Sequence, residues 1–309
     1  MAIEFHKYKK IYRLGHEENK DIFSNPDDII VIQEKIDGGN FRFMINDGKV
    51  IIGSRTQQLT DDEGIDANMN DMFSKCAEFV RDKLKDTNLS LYQGLVFYGE
   101  NCVKHTMNYD WDRMPLFLGF DILDLNTGEF LDHTTVKMIY SHLGLKTVPH
   151  IKTCKVSEIG EINDDMVPDS EYALESAEDK KAEGIVFKNY NKQIMAKYVR
   201  DKFKEKNSEA FGGTPMYNKV DDTNNAEFIF KYCTNQRIEK VIFKNLNEGN
   251  ALDMRLMGSI IKETYEDIIE EEWRDILTSN WKLDFKKIRK LIAPRCRAVL
   301  EQIMVNNAR

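Results

Sequence analysis

Hydrophobic positions change period along this 309-residue chain. In roughly the first two thirds they come as short runs bounded by turn formers, among them Ile29-Ile30-Val31-Ile32, Phe41-Arg42-Phe43-Met44-Ile45, Val50-Ile51-Ile52, Leu95-Val96-Phe97-Tyr98 and Leu116-Phe117-Leu118-Gly119-Phe120-Asp121-Ile122. Such runs read as buried strands. Asn46-Asp47-Gly48-Lys49 reads as the hairpin turn between the second and third of them. Asp37-Gly38-Gly39 offers the positive φ angles of another strand-to-strand turn, which places Lys35 where a buried strand gives way to a tight turn. Met72, Phe73, Phe79, Val80 and Leu84 predict a helix over 70–84, a second helix runs from Thr134 to Gly144, and Glu171 to Lys181 reads as an exposed helix with a thin apolar stripe.

Beyond Gly212-Gly213-Thr214-Pro215 and Asp221-Asp222-Thr223-Asn224-Asn225 the spacing becomes helical. Ile238, Val241, Ile242 and Leu246 make one stripe, and Leu256, Met257, Ile260, Ile261, Tyr265, Ile268, Ile269, Trp273, Ile276 and Leu277 a second. A third begins at Phe285, Ile288, Leu291 and Ile292 and is expected to be interrupted at Pro294. Two domains follow, residues 1–213 and an all-helical 214–309.

Charge and cysteine content narrow the function. A net charge of −8 argues against a generic nucleic-acid coat but leaves room for local basic tracks at Lys192–Lys206 and Lys282–Arg297. A solvated face is the commoner meaning of such runs. Cys76, Cys102, Cys154, Cys233 and Cys296 form no C-x-x-C pair, so neither a disulfide framework nor a zinc site is expected. No apolar stretch reaches membrane-spanning length, and Met1–Lys7 lacks the features of a signal peptide. A cytoplasmic or nucleoplasmic protein, neither secreted nor membrane-bound, is the expectation.

Lys35-Ile36-Asp37-Gly38-Gly39-Asn40 resembles the Lys-x-Asp-Gly-x-Asn nucleophile motif of the covalent nucleotidyltransferases, in the variant of the ATP-dependent RNA ligases. Further stretches resemble the family's other motifs in order: Ser54-Arg55-Thr56, Tyr98-Gly99-Glu100, Phe120-Asp121, Glu183-Gly184-Ile185-Val186-Phe187-Lys188 and Lys197-Tyr198-Val199. The helical tail, where DNA ligases and capping enzymes carry an OB-fold, is similar to the RNA ligase 2 branch.

The resemblance implies an α+β fold: a nucleotidyltransferase, ATP-grasp-like ligase core of antiparallel sheets with flanking helices, then an all-α C-terminal domain. It implies Lys35 as nucleophile, with Lys197 and Glu183 also catalytic. Glu34, Asp37, Asn40, Arg55, Glu100, Phe120, Lys188 and Lys197 are implied around ATP, and Glu183 around Mg2+ or Mn2+. Lys188 and Lys197 are expected to favour the neutral amine of Lys35. Lys104, His105, Arg200, Lys202, Lys286, Lys287, Arg289 and Lys290 are weaker candidates for RNA contact. One departure stands out: Val199 occupies the place of the motif's second lysine, and Arg200, on the opposite face of a strand, cannot replace it.

The implied reaction joins a 3′-hydroxyl to a 5′-phosphate in RNA, at a nicked or bridged duplex, through lysyl-AMP and an adenylylated RNA end, with no obligate protein partner. The alternatives are a DNA ligase, a GTP-dependent capping enzyme, or a silent nucleic-acid-binding relative.

Overall fold

The computed structural model describes residues 6–55, 57–69, 71–103, 109–200, 223–248, 250–278 and 283–307. The chain divides into two compact units, residues 1–200 with 247–249 and residues 201–246 with 250–309. The expected boundary at 213/214 lies outside the described residues.

In the first unit the described strands are β1 (Ile29–Lys35), β2 (Gly39–Asn46), β3 (Lys49–Ser54), β4 (Leu95–Asn101), β5 (Phe117–Asp124), β6 (Glu129–Phe130), β7 (Lys146–Thr147), β8 (His150–Lys155), β9 (Gly184–Asn189) and β10 (Ile194–Val199). Helices α1 (Asp71–Leu84) and α2 (His133–His142) accompany them. They build two sheets, ordered β10-β9-β1-β8 and β3-β2-β4-β5-β6. All neighbours in these orders are antiparallel, while β7 adds to β5 in parallel.

Alternation along the strands sets the layers. In the first sheet Ile30, Ile32, Ile185, Phe187 and Ala196 point outward into a cluster with Ile22, Cys154 and Val167. Their neighbours Gln33, Lys35, Val186, Lys188, Met195 and Lys197 therefore share the inner face. Met195 on that face packs with Met44, Val96, Tyr98, Leu118 and Phe120 of the second sheet. The far side of the second sheet, Phe41, Phe43, Phe97, Phe117 and Ile122, is covered by Phe73, Cys76, Ala77 and Val80 of α1 and Val136 and Tyr140 of α2. Each such buried side chain contributes about 1.5–3 kcal/mol, so these interfaces hold the sheets in place.

The hairpin at 46–49 forms as expected, with Asp47 and Gly48 at φ 47° and 77°. Asp37-Gly38-Gly39 behaves differently. It joins two sheets rather than two paired strands, and neither glycine has a positive φ. Gly38 is required for close approach instead: a Cβ there would lie 2.9 Å from the Asn101 carbonyl and 3.3 Å from the Glu100 carboxylate.

No helix forms over 171–181. Its backbone is drawn into other pairings: Asp110 N–H donates to Tyr172 O and Ser170 N–H to Lys180 O. Glu171 N–H donates to the Glu34 carboxylate.

The second unit contains α3 (Thr223–Tyr232), α4 (Asn235–Asn247), α5 (Met257–Thr278) and α6 (Phe285–Asn307). Arg237 of α4 is fixed to α5 by ion pairs to Glu272 (2.6 Å) and Asp267 (3.0 Å). Pro294 does not interrupt α6. Ile288, Ile292, Cys296, Val299 and Leu300 keep one buried stripe in phase across it, and the Lys290 carbonyl that loses its helical donor belongs to an exposed residue.

Candidate active site

Lys35 ends β1, and its Nζ lies 2.5 Å from Glu183 Oε2. The Glu183 side chain is buried, and Lys35 keeps 17% of its side chain exposed. Register explains the encounter: Lys35 pairs with Gly184 at the start of β9, and Gly184 pairs in turn with Val199 of β10. The next row on the same face, two residues along, runs His150, Gln33, Val186, Lys197. Lys35 and Lys197 thus lie on one inner face, on either side of β9. Val186 is the one residue of β9 that is not fully buried, and no sequence signal marks it.

Four residues beyond Lys35 the chain enters the second sheet, where Asn40 pairs with Glu100 and Phe41 with Ser54. That register sets Asn40, Glu100 and the exposed Arg55 at one end of the sheet. Asn40 Oδ1 is buried without a hydrogen-bond partner among the described residues. Asp37 is buried in the connecting turn, and its N–H donates to Tyr109 Oη at 3.1 Å.

Glu34 is pinned beside this turn. Its N–H donates to Pro149 O (2.9 Å), its Oε2 accepts from Glu171 N–H (3.3 Å), and its Oε1 is buried without a partner. Burial pushes its carboxyl up to about 7, against the opposing hydrogen bonds from Ser170 and Glu171. A folded pKa raised above the unfolded value of about 4.3 favours folding fully below that value. The contribution is lost as pH rises toward 7. Glu34→Gln is therefore expected to stabilise the protein by about 2 kcal/mol at pH 8 and to change little at pH 4. Urea midpoints at the two pH values would show it, and equal midpoints at pH 8 would argue against a buried, destabilising carboxylate.

Lys188 takes a place different from the one expected. Its Nζ donates to Asp121 Oδ2 and to Phe120 O, both at 2.8 Å, with the side chain fully buried. Tyr8 and Tyr190 hydroxyls also donate to Asp121, at 2.5 and 2.8 Å. Lys188 pairs with Val31, four residues before Lys35, or about 13 Å along the strand. It fixes the backbone of β5 to β9 and is too far to act on the Lys35 amine. Phe120 has Tyr8 edge-on at 4.9 Å and is itself buried.

Arg200 is likewise committed to the fold. Its guanidinium is buried against Asp179 (3.2 Å) and donates to Ala182 and Lys181 carbonyls, which removes it from RNA contact. Lys104, His105 and Lys202 lie outside the described residues. Lys286, Lys287, Arg289 and Lys290 are exposed on α6.

Gln33 Nε2 and His133 Nδ1 approach to 3.4 Å, leaving Gln33 Oε1 and His133 Nε2 buried without partners. Burial, with His150 stacked on it at 4.8 Å, holds His133 down to about 4, so its ring is neutral at pH 7. Nothing in the sequence brings these two residues together.

Two facing antiparallel sheets, with a lysine and a buried carboxylate paired where the strands end, make up the nucleotidyltransferase fold of RNA ligases. A family model described as RNA ligase matches residues 28–199, more than half of the chain, and the chain belongs to the RNA ligase family. No curated protein matches it.

Among solved structures it is similar to the Naegleria gruberi RNA ligase. One mutant with ATP and Mn matches at TM-score 0.50 and 17% identity, over 64% of this chain and 57% of that one. Another with ATP and Mn matches at 0.52 and 17%, over 65% and 57%. A mutant with AMP and Mn matches at 0.50 and 16%, over 65% and 57%. The present chain thus spans about 57% of that ligase, and the likeness is one of fold.

Proposed function

We propose that the protein is an ATP-dependent RNA ligase that works through a covalent lysyl-AMP. The contact of Lys35 Nζ with Glu183 Oε2 carries this reading, because it sets a primary amine beside a buried carboxylate on the face that also holds Lys197. In the first step Lys35 Nζ bonds to the α-phosphorus of ATP as the bond to pyrophosphate breaks. Attack needs the lone pair of Nζ, so the proton that Nζ donates to Glu183 passes to that carboxylate as the bond to phosphorus forms. A 5′-phosphate of RNA then displaces the lysine and takes the AMP. Finally a 3′-hydroxyl displaces AMP and closes the strand. Each step is in-line displacement at phosphorus, which needs positioned charge more than a catalytic histidine.

The buried, unpartnered Asn40 Oδ1, Gln33 Oε1 and His133 Nε2 support nucleotide binding, since buried polar atoms ordinarily have partners that a base and ribose could supply. Among the described residues no group of three or more His, Cys, Asp or Glu could hold a metal ion. One carboxylate fits Mg2+ or Mn2+ that is bound mainly by water and substrate phosphates, and Glu183 is the residue that would hold it. Such an ion would neutralise phosphate charge. The exposed basic stretch of α6 is the proposed RNA contact of the C-terminal domain, 214–309.

The test is the intact mass of nucleotide-free protein after incubation with magnesium and either ATP or GTP, followed by sealing of nicked RNA and nicked DNA duplexes. One AMP per chain and preferential sealing of RNA are expected. A GMP adduct would replace the reading with capping, preference for DNA with a DNA ligase, and no adduct with a silent binder.

A further inference from the structure

We infer that Arg13 supplies the cationic contact to the departing phosphates of ATP that Val199 lacks; this rests on the lysyl-AMP reading. The segment before β1 adds to the open edge of β10. Lys197 N–H donates to Tyr12 O at 3.0 Å, and Leu14 N–H donates to Lys197 O at 2.8 Å. Arg13 is thereby the parallel partner of Lys197. Directly paired residues project to the same face of a sheet, and their chain neighbours to the other. Leu14 packs on the outer cluster with Ala196 and Phe187, so Arg13 belongs to the inner face, as Lys197 does.

The segment is held by its own hydrogen bonds. Buried Asn19 donates to the carbonyls of Arg13 (2.8 Å) and Tyr12 (3.2 Å), and accepts from Gly15 N–H (2.9 Å). Tyr12 and His16 stack at 3.9 Å.

Arg13 therefore extends the row Gln33, Val186, Lys197 by one strand. With about 4.8 Å between strands and 3.3 Å per residue, its Cα lies about 16 Å from that of Lys35. Two extended side chains cross such a span only with several atoms between them, which suits a polyphosphate rather than a single phosphate. Lys197 lies between the two, so it falls to the α-phosphate and Arg13 to the β- and γ-phosphates. As the Nζ–P bond forms, the P–O bond to pyrophosphate breaks and its electron pair goes to the pyrophosphate oxygen. A guanidinium meets that growing charge with two parallel N–H donors. Arg13 acts in lysine adenylylation and its reversal, and has no part in closing an RNA strand already adenylylated.

Arg13→Ala and Arg13→Lys in the full chain test this, with three rates measured: adduct formation across ATP concentrations, discharge of preformed adduct by pyrophosphate to regenerate ATP, and sealing of a 5′-adenylylated RNA strand without ATP. Arg13→Ala is expected to lower kcat/KM for ATP about 10- to 100-fold, the worth of a charge-assisted hydrogen bond, and to slow pyrophosphate-driven release similarly. Sealing of the adenylylated strand should stay within about twofold, and Arg13→Lys should recover part of the loss. Unchanged ATP kinetics, with a normal adduct in the wild-type protein, would overturn the assignment. Equal losses in all three rates would overturn it too, as the mark of a merely structural role. No adduct in the wild-type protein would instead overturn lysyl-AMP, and this assignment with it.

Discussion

Lys35→Arg is expected to leave the protein folded and to abolish the covalent adduct, with a loss on the order of 10^3-fold or more in ATP-dependent sealing. Arginine keeps the positive charge that Glu183 meets at the end of β1, so the buried carboxylate retains a partner. Its guanidinium does not give up a proton in proteins and offers no amine lone pair to phosphorus. Charge and nucleophilicity are thereby separated at one position. Lys35→Ala loses both: it strands a carboxylate whose side chain is 2% exposed, at a cost of about 1–3 kcal/mol after allowing for the solvent access of Lys35. The arginine variant should thus match wild type in urea unfolding and the alanine variant should not. Both should stay unmodified when mass is measured after incubation with ATP and magnesium. An AMP adduct on Lys35→Arg would refute Lys35 as the nucleophile.

The strands were legible because their apolar runs are short and their turns chemically marked, as at Asp47-Gly48. The helical second unit was legible from its period. The division of strands between two sheets was not. β1 and β2 bury both faces, so their patterns are the same whether they pair with each other or lie in separate sheets. The glycines between them suggested a positive-φ turn, yet Gly38 is dictated by a neighbour in β4 some sixty residues on, which no local signal reveals.

The segment 171–181 failed for a related reason. Its charges suit a solvated helix, but its backbone pairs with Asp110, Ser170 and Glu34, and a tertiary pairing outweighs a thin amphipathic stripe. Lys188 shows how far residue type can carry a site reading. A lysine close after a glutamate and a glycine invites a phosphate role, but alternation sets it four residues along the sheet from Lys35, where Asp121 neutralises it. The place of Arg13 beside Lys197 is illegible for the opposite reason: a single long-range bridge leaves no period in the sequence.

Gly184→Ala is expected to lower stability by about 2–3 kcal/mol and adenylylation about 100-fold, an effect of shape where Lys35→Arg is one of chemistry. A Cβ on Gly184 would lie 2.0 Å from Tyr198 O and 2.9 Å from Val199 Cα. Both neighbours are β10 backbone, so no rotamer change relieves the contact and β9 must part from β10. That separation falls in the row Lys35, Gly184, Val199, two residues along from the row carrying Lys197, so the two lysines lose their mutual register across β9. A displacement of about 1 Å is enough to cost phosphoryl transfer two orders of magnitude. Gly48→Ala supplies the contrast. Gly48 has φ 77° and nothing within 4 Å of an added Cβ, so it should lose about 1 kcal/mol through backbone strain alone and keep wild-type adenylylation. Urea midpoints and adduct formation rates of the two variants, taken where both are folded, decide the matter. Wild-type adenylylation in Gly184→Ala would mean that spacing between β9 and β10 does not position Lys35 against Lys197, and that the glycine after Glu183 serves packing only.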